Sequence, residues 1–171
     1  MTGYKTLIVK KEGAVDWLTL NRPDALNAMN PELVDELQDY FGRLYTDHSV
    51  RIVVIRGAGR AFCAGGDIRA LYDWGQTGDK TAIDFWREEY QLNTFIKRYP
   101  KPYVALMDGI NMGGGVGLSV HGSHRVATER LTFAMPETGI GLFPDVGGTY
   151  FLPRAPGETG MYLALTGARL K

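Results

Sequence analysis

The sequence predicts an α/β fold in which short strands and helices alternate along the chain. Two observations support this class. RIVVIRG and KPYVALMDG are continuous apolar runs of strand length, which is typical of strands buried on both faces, and amphipathic segments separate them. The chain has 171 residues, of which 44% are hydrophobic and 22% charged, as in a globular domain with its own core. We expect one domain over residues 1–171.

The first third of the chain predicts a β-hairpin followed by a helix. Strands at Leu7–Lys10 and Val15–Leu20 flank a Lys-Glu-Gly turn. Asn30-Pro31 predicts a helix start, because Asn caps free N–H groups and Pro fits the first helical position. Apolar side chains at helical spacing extend this helix: Leu33, Leu37, Tyr40, Phe41 and Leu44.

The remaining elements follow the same alternation. GAGRAFCAGGD predicts a glycine-bearing loop, with a short helical stretch at IRALYDW after it. DKTAIDFWREEYQLNTFIKRYP predicts a long amphipathic helix with Ile83, Trp86, Tyr90 and Phe95 among its apolar positions. GGGVGLSVHG predicts a short helix, HRVATERLTFAMPE a strand pair or bend, and GETGMYLALTG a final helix. Asp145 is placed to cap a helix at VGGTYFLP.

Composition excludes several classes of protein. The 19 basic and 19 acidic residues balance, so nucleic acid is not an expected partner. YVALMDGINMGGGVGLSV is interrupted by Asp108, Asn111 and glycines, which argues against a membrane span. A single Cys63 rules out an internal disulfide, and MTGYKTLIVKKEG carries no secretory signal. The sequence therefore predicts a soluble cytoplasmic protein.

Familiar nucleotide and metal motifs are absent. The chain contains no GxxxxGK[ST], GxGxxG or GxSxG pattern. His121 and His124 are three residues apart, but Gly122 lies between them and no third ligand is near. We interpret one as a helix end, where a positive ring is favoured, and the other as a strand start. No metal is expected, and Cys63 is interpreted as a packed thiol.

Two glycine turns, at Gly65-Gly66 and Gly113–Gly117, each follow a predicted strand. Glycine there allows either tight packing of helix on strand or close approach of free N–H groups to an oxygen that gains negative charge. Glu137 and Asp145 lie in the apolar stretch MPETGIGLFPDVGG. Each acid, alone, fits the start of a helix. Beside an oxyanion hole, both would serve carbonyl chemistry as bases or nucleophiles.

Four motifs resemble the crotonase (enoyl-CoA hydratase/isomerase) superfamily: NRPDALNAM, RGAGRAFCAGGDI, KPYVALMDGINMGGGVGLSVHGSHRVAT and FAMPETGIGLFPDVGGTYFLPR. The resemblance runs from about Leu18 to the end of the chain. It implies a repeated ββα spiral fold, acyl-CoA substrates and trimers or hexamers. Within the superfamily, the chain is most similar to the 3-hydroxyisobutyryl-CoA hydrolases. Those hydrolases continue for about as many residues again, so we expect that a C-terminal helical part is missing.

The resemblance also implies residue roles. Hydratases carry a second glutamate where this chain has Gly117, and a small residue where it has Asp145. The amides of Gly66 and Gly114 would form the oxyanion hole, and Glu137 would attack the thioester or activate water. Asp145 would orient substrate or water. Further substrate contacts would come from Glu89, at the hydroxyl end, and from Asn27, Ala28, Ala64, Gly65, Asp67 and Ile68 along the CoA path.

The implied activity is hydrolysis of a short hydroxyacyl-CoA thioester, 3-hydroxyisobutyryl-CoA, to 3-hydroxyisobutyrate and CoA in valine breakdown. No cofactor is expected, because coenzyme A is part of the substrate. Two alternatives stay open: an enoyl-CoA hydratase or isomerase, and a catalytically silent acyl-CoA-binding fragment. A homo-oligomer is expected for the full-length protein and is left open for this chain.

Overall fold

The strands of the computed structural model, which describes residues 3–171, lie in two sheets. The strands are β1 (Leu7–Glu12), β2 (Val15–Leu20), β3 (Ile52–Gly57), β4 (Ala61–Cys63), β5 (Tyr103–Met107), β6 (Ile110–Met112), β7 (His124–Ala127) and β8 (Thr132–Ala134). The helices are α1 (Pro31–Thr46), α2 (Ile68–Thr77), α3 (Thr81–Arg98), α4 (Gly114–Val120), α5 (Gly148–Phe151) and α6 (Thr159–Thr166).

The chain passes repeatedly from the larger sheet to the smaller one. The larger sheet has the order β1-β2-β3-β5-β7 and is parallel except for the β1-β2 hairpin. The smaller sheet, β4-β6-β8, is parallel throughout. From β3 onward, each strand of the larger sheet is followed by one of the smaller. This is the ββα repeat that the resemblance predicts, and the α/β class is confirmed.

Helix α1 begins as the sequence predicts. The Asn30 side chain accepts a hydrogen bond from the Leu33 N–H at 3.0 Å, and Pro31 occupies the first turn. Asn30 satisfies one of the N–H groups that a helix start leaves without an intrahelical partner. The apolar face of α1 is buried against the larger sheet and α3: Leu33, Val34, Leu37, Tyr40, Phe41 and Leu44.

The prediction for the apolar face of α3 is confirmed for two residues and wrong for two. Trp86 and Phe95 pack against the main core, whereas Ile83 is 56% exposed and Tyr90 is 40% exposed. The buried positions are Ala82, Phe85, Glu89, Leu92, Asn93 and Ile96. Apolar spacing alone does not identify the whole inward face, because two polar residues, Glu89 and Asn93, belong to it.

The strands also differ in how far they are covered. In β3, Val53, Val54 and Ile55 are all buried, as expected for a strand covered on both faces. In β5 burial alternates, with half-buried residues between the buried ones. All four residues of β7 are exposed. The prediction of burial on both faces therefore fails toward this edge of the sheet, which β7 forms.

Helix α4 lies between two apolar clusters. Its Leu118 packs in the main core, and its Val116 packs in a smaller cluster with Met135, Val146 and neighbouring side chains. All residues from Gly114 to Ser119 are buried. Within residues 3–171, no helix combines the length and apolar content needed to cross a bilayer.

We predict opposite effects for two glycine-to-alanine changes. A Cβ on Gly115 would lie 2.3 Å from the Cys63 carbonyl oxygen, so Gly115→Ala should lower the free energy of unfolding by about 1–3 kcal/mol through overpacking. Gly75, exposed in α2, has open space around it, and Gly75→Ala should raise the free energy by up to about 1 kcal/mol. Urea titration measures both, and a neutral Gly115→Ala would contradict the packing described here.

Candidate active site

The carboxyl ends of the small sheet bring three loops together. β4 leads into Ala64-Gly65-Gly66, β6 into Gly113-Gly114, and β8 into the segment that carries Glu137. Because β4, β6 and β8 are parallel neighbours, their carboxyl ends lie at the same edge of the sheet. The sequence motifs that looked separate therefore meet in space.

The two glycine loops are in contact. The position that a Cβ on Gly114 would occupy lies 3.4 Å from the Gly66 nitrogen, and the corresponding position on Gly65 lies 3.5 Å from the Gly114 nitrogen. Within residues 3–171, neither the Gly66 N–H nor the Gly114 N–H takes part in the loop, cap or side-chain hydrogen bonds. Two uncommitted donors therefore lie side by side.

Backbone conformation explains why both loops need glycine. Gly65 has φ +113° and Gly113 has φ +50°, both in the left-handed region that side chains disfavour. The loop before α2 is held by a short bridge: Met29 N–H donates to the Gly65 carbonyl, and Asp67 N–H donates to the Met29 carbonyl, each at 2.8 Å. This bridge uses the Gly65 carbonyl and the Asp67 N–H, and it leaves the Gly66 N–H free.

Three buried carboxylates lie near these loops, and two of them approach the glycines closely. Glu137 begins a 3-10 turn, Glu137–Ile140, and is 8% exposed. Asp145 is 9% exposed, and Glu89 of α3 is 2% exposed. A Cβ on Gly114 would lie 2.3 Å from Glu89 Oε1, and one on Gly113 would lie 2.8 Å from Glu137 Oε1. The acids thus reach the amides because the glycines have no side chains.

Burial dominates the ionisation of these acids. Together with the neighbouring charges of Asp145 and Glu137, burial raises the pKa of Glu89 to about 8. Burial likewise raises the pKa of Glu137 to about 7, with a smaller contribution from Asp145. Burial also raises the pKa of Asp145, although a hydrogen bond from Tyr90 opposes it.

The amides and acids share one cavity of about 600 Å³. Its walls include eight of the eleven residues that sequence analysis placed at the site: Ala64, Gly65, Gly66, Ile68, Glu89, Gly114, Glu137 and Asp145. Apolar walls that the sequence analysis did not assign come from α2, α3, and the 3-10 turn with the residues just after it: Leu71, Tyr72, Phe85, Trp86, Ile140 and Leu142.

Asn27, Ala28 and Asp67 do not line this cavity. All three contact Arg22 instead. The Arg22 N–H donates to Asn27 Oδ1 at 2.9 Å, and its guanidinium donates to the Ala28 carbonyl and to Asp67 Oδ2. Asp67 also caps α2 through the Ala70 N–H at 3.4 Å. Their part in binding CoA remains a prediction, and the contacts seen here hold the loop ahead of Gly66.

Asp145 is not the side-chain cap that the sequence predicts. Helix α5 begins after Gly147, with no side-chain cap, and only the Asp145 carbonyl accepts from the Gly148 N–H, at 2.6 Å. The Asp145 carboxylate instead accepts from the Tyr90 hydroxyl at 2.8 Å. Sequence analysis assigned Tyr90 to an apolar face. The one signal in the sequence for a role of Tyr90 at the site is that it directly follows Glu89 in α3.

Gly117 has no room for a side chain. A Cβ there would lie 2.6 Å from Asn93 Oδ1 and 2.9 Å from Val146 Cβ. Asn93 is buried in α3, one turn beyond Glu89. The position at which the resemblance places a second hydratase glutamate is therefore filled by Asn93 and Val146.

The two histidines lie apart from the cavity. His121 caps the end of α4 and donates from Nε2 to the Val146 carbonyl at 2.7 Å, while His124 opens β7. The predicted places of both histidines, at a helix end and a strand start, are therefore confirmed, although burial lowers the pKa of His121 and so disfavours a positive ring there. Among residues 3–171, no group of three or more His, Cys, Asp or Glu side chains is arranged to hold a metal ion.

Comparison with known proteins gives close relatives. The profile of the enoyl-CoA hydratase/isomerase family matches residues 15–171. A Xenopus tropicalis protein named 3-hydroxyisobutyryl-CoA hydrolase, mitochondrial, is 60% identical over 165 residues, which cover 96% of this chain and 43% of that protein. The Homo sapiens protein of the same name is 52% identical over 166 residues, with the same coverage. The chain thus spans less than half the length of these relatives.

Solved structures give the same picture of the fold. A carnitinyl-CoA dehydratase from Mycobacterium thermoresistibile superposes with a TM-score of 0.95 at 50% identity, covering 98% of this chain and 49% of that one. An enoyl-CoA hydratase from Rhodobacter sphaeroides gives 0.92 at 48% identity, covering 97% and 50%.

The predicted cytoplasmic location is wrong, because the curated relatives are named as mitochondrial proteins. The features behind that prediction do not distinguish the two compartments. A single buried Cys63 and a balanced charge suit any reducing environment.

Because Glu89 and Glu137 are buried, we predict that the free energy of unfolding falls as the pH rises. The unfolded chain has released their protons by about pH 5, whereas the folded chain keeps them on Glu137 to about pH 7 and on Glu89 to about pH 8, so the free energy of unfolding decreases between about pH 5 and pH 8. Glu89→Gln cannot ionise and should lose much of this dependence, melting above the wild type at pH 8. Thermal unfolding at pH 5.5 and pH 8 measures it. Glu129→Gln, at an exposed turn, should behave like the wild type. An unchanged pH dependence in Glu89→Gln would contradict the assignment.

Proposed function

Because this chain belongs to the enoyl-CoA hydratase/isomerase family, we propose that it carries the catalytic site of a short hydroxyacyl-CoA thioester hydrolase. The proposed reaction converts 3-hydroxyisobutyryl-CoA and water to 3-hydroxyisobutyrate and CoA, a step of valine degradation. One observation carries the proposal: the free amides of Gly66 and Gly114 lie beside buried Glu137 in one cavity. The names of relatives at 52–60% identity support the choice of substrate.

The two amides would bind the thioester oxygen. As water adds to the carbonyl carbon, this oxygen becomes an anion, and the Gly66 and Gly114 N–H groups donate to it. Each such donor lowers the barrier by about 2.7–4 kcal/mol. The apolar walls strengthen both hydrogen bonds, because little water competes for them.

Glu137 would act as the general base. Its pKa of about 7 is close to the pH at which a base works best, since enough carboxylate is present and it still holds a proton well. In this proposal Glu137 takes a proton from the attacking water. When the tetrahedral intermediate collapses, the carbon–sulfur bond breaks, and the proton passes to the departing CoA thiolate.

The other two acids would position the reactants. With a pKa raised to about 8, Glu89 is largely protonated at neutral pH and can both donate to and accept from the hydroxyl of the acyl group. Asp145 would accept a hydrogen bond from the attacking water and orient it toward the carbonyl carbon. Self-association of the whole protein remains an expectation from the resemblance.

Hydration of an enoyl-CoA is the second candidate, because the relative from Rhodobacter sphaeroides is named as a hydratase. That reaction, as the resemblance implies it, uses two glutamates. Gly117 supplies none, and Asn93 and Val146 fill the adjacent space. These contacts favour hydrolysis over hydration.

We predict thiol release from 3-hydroxyisobutyryl-CoA, measured with a chromogenic thiol reagent. Glu137→Gln should lower kcat by about 100-fold or more, because it removes the base, and Asp145→Asn should lower it as well. Glu158→Gln, an exposed acid before α6, should match the wild type. Wild-type rates in both site variants would contradict the roles. Loss of crotonyl-CoA absorbance without thiol would indicate hydration, and calorimetric binding without turnover would indicate a silent fragment.

A further inference from the structure

Tyr90 connects the catalytic cavity to a second cavity. Its hydroxyl donates to Asp145 Oδ2 at 2.8 Å. The ring of Tyr90 lies outside the catalytic cavity, in the wall of a neighbouring cavity of about 470 Å³. Asp145 lines both. Asp145 therefore belongs to both walls, and a residue of the second cavity alone holds its carboxylate.

The backbone beside Asp145 is held in an unusual conformation. Val146 has φ +42°, which a β-branched residue rarely adopts. The His121 ring donates to the Val146 carbonyl at 2.7 Å, and the Gly148 N–H donates to the Asp145 carbonyl at 2.6 Å. These contacts fix the main chain around Asp145, whose carboxylate also accepts a hydrogen bond from its own backbone N–H. Within residues 3–171, the Tyr90 hydroxyl is the only side-chain donor to that carboxylate.

We infer that Tyr90 is a positioning residue: its hydroxyl fixes Oδ2 of Asp145 and leaves Oδ1 to orient the attacking water in the catalytic cavity. This role rests on the hydrolytic function proposed for Asp145. A carboxylate bound through one oxygen keeps a single rotamer, so the second oxygen meets each substrate from the same direction. The Tyr90 hydroxyl does not itself react or contact the substrate in this role.

The same hydrogen bond favours the charged form of Asp145. The ionisable residues in the walls of the two cavities that Asp145 lines are Tyr72 of α2, Glu89, Tyr90, Lys97 and Arg98 of α3, His121 at the end of α4, Glu137 of the 3-10 turn, and Tyr150 of α5. Lys97 and Arg98 are exposed at the second cavity. The two glutamates have pKa values raised to about 8 and 7, whereas the Tyr90 hydrogen bond lowers the pKa of Asp145 against the effect of burial. Tyr90 thereby favours the ionised form of Asp145 among three buried acids.

The test compares Tyr90→Phe with Tyr150→Phe. Both remove one hydroxyl from the wall of the second cavity, but Tyr150 donates no hydrogen bond to Asp145. With ¹³C-labelled aspartate, NMR follows the Asp145 carboxyl through a pH titration, and Asp145→Asn assigns its signal. We expect Asp145 to titrate at higher pH in Tyr90→Phe than in the wild type, and Tyr150→Phe to titrate as the wild type does. An unchanged titration in Tyr90→Phe would overturn the inference.

A reciprocal measurement covers the case in which Tyr90→Phe does not fold. Burial raises the pKa of the Tyr90 hydroxyl most, and its hydrogen bond to the Asp145 carboxylate raises this pKa as well. Asp145→Asn should therefore let this phenol ionise at lower pH, as followed by ultraviolet absorbance. If Tyr90 ionises at the same pH in Asp145→Asn and in the wild type, the inference fails.

Kinetics separate this inference from the proposed function. In Tyr90→Phe, kcat for thiol release should fall by about ten-fold, with KM almost unchanged. A wild type that releases no thiol would refute the proposed function, while the two titrations would still decide whether Tyr90 holds Asp145. A Tyr90→Phe variant with the wild-type kcat would refute its positioning role.

Discussion

Close packing of α3 on the glycine-rich start of α4 is the constraint on which the site depends. Glu89 lies against Gly114, Asn93 lies against Gly117, and the Cys63 backbone lies against Gly115, each closer than a Cβ would allow. A side chain at any of these glycines would push α3 or β4 away from α4. The buried acid, the free amide and the filled hydratase position all follow from this one contact between helices.

Hydrogen-bond donors and carboxyl groups occupy different parts of the cavity wall. Free amides of Gly66 and Gly114 form one part of the wall, and the carboxyls of Glu89, Glu137 and Asp145 form another. No Lys, Arg or His lines this cavity in the part of the chain that the structure describes. Burial without a cation partner therefore raises the pKa values of both glutamates, and repulsion between the neighbouring acids adds to this effect. A neutral thioester fits this arrangement better than an anionic acyl group would.

Local sequence signals predicted the parts of the fold that local chemistry determines. The β-branched runs became β3 and β5, Asn30 caps α1, and glycines after β4 and β6 bring their free amides together. The buried face of α3 could not be predicted from apolar spacing, because the glycines of α4 create room for Glu89. The same limit hid Tyr90, since its hydroxyl meets an acid 55 residues away. Asp145 does not form the predicted cap, because its carboxylate bonds Tyr90 of α3, a contact between residues far apart in the sequence.

A crystal structure with a non-hydrolysable acyl-CoA analogue tests the central claim most directly. The account predicts that the analogue's acyl carbonyl oxygen lies about 2.7–3.1 Å from both the Gly66 and Gly114 nitrogens, with Glu137 on the opposite side of the carbonyl carbon. A carbonyl oxygen bound elsewhere, or bound by only one of these amides, would contradict it.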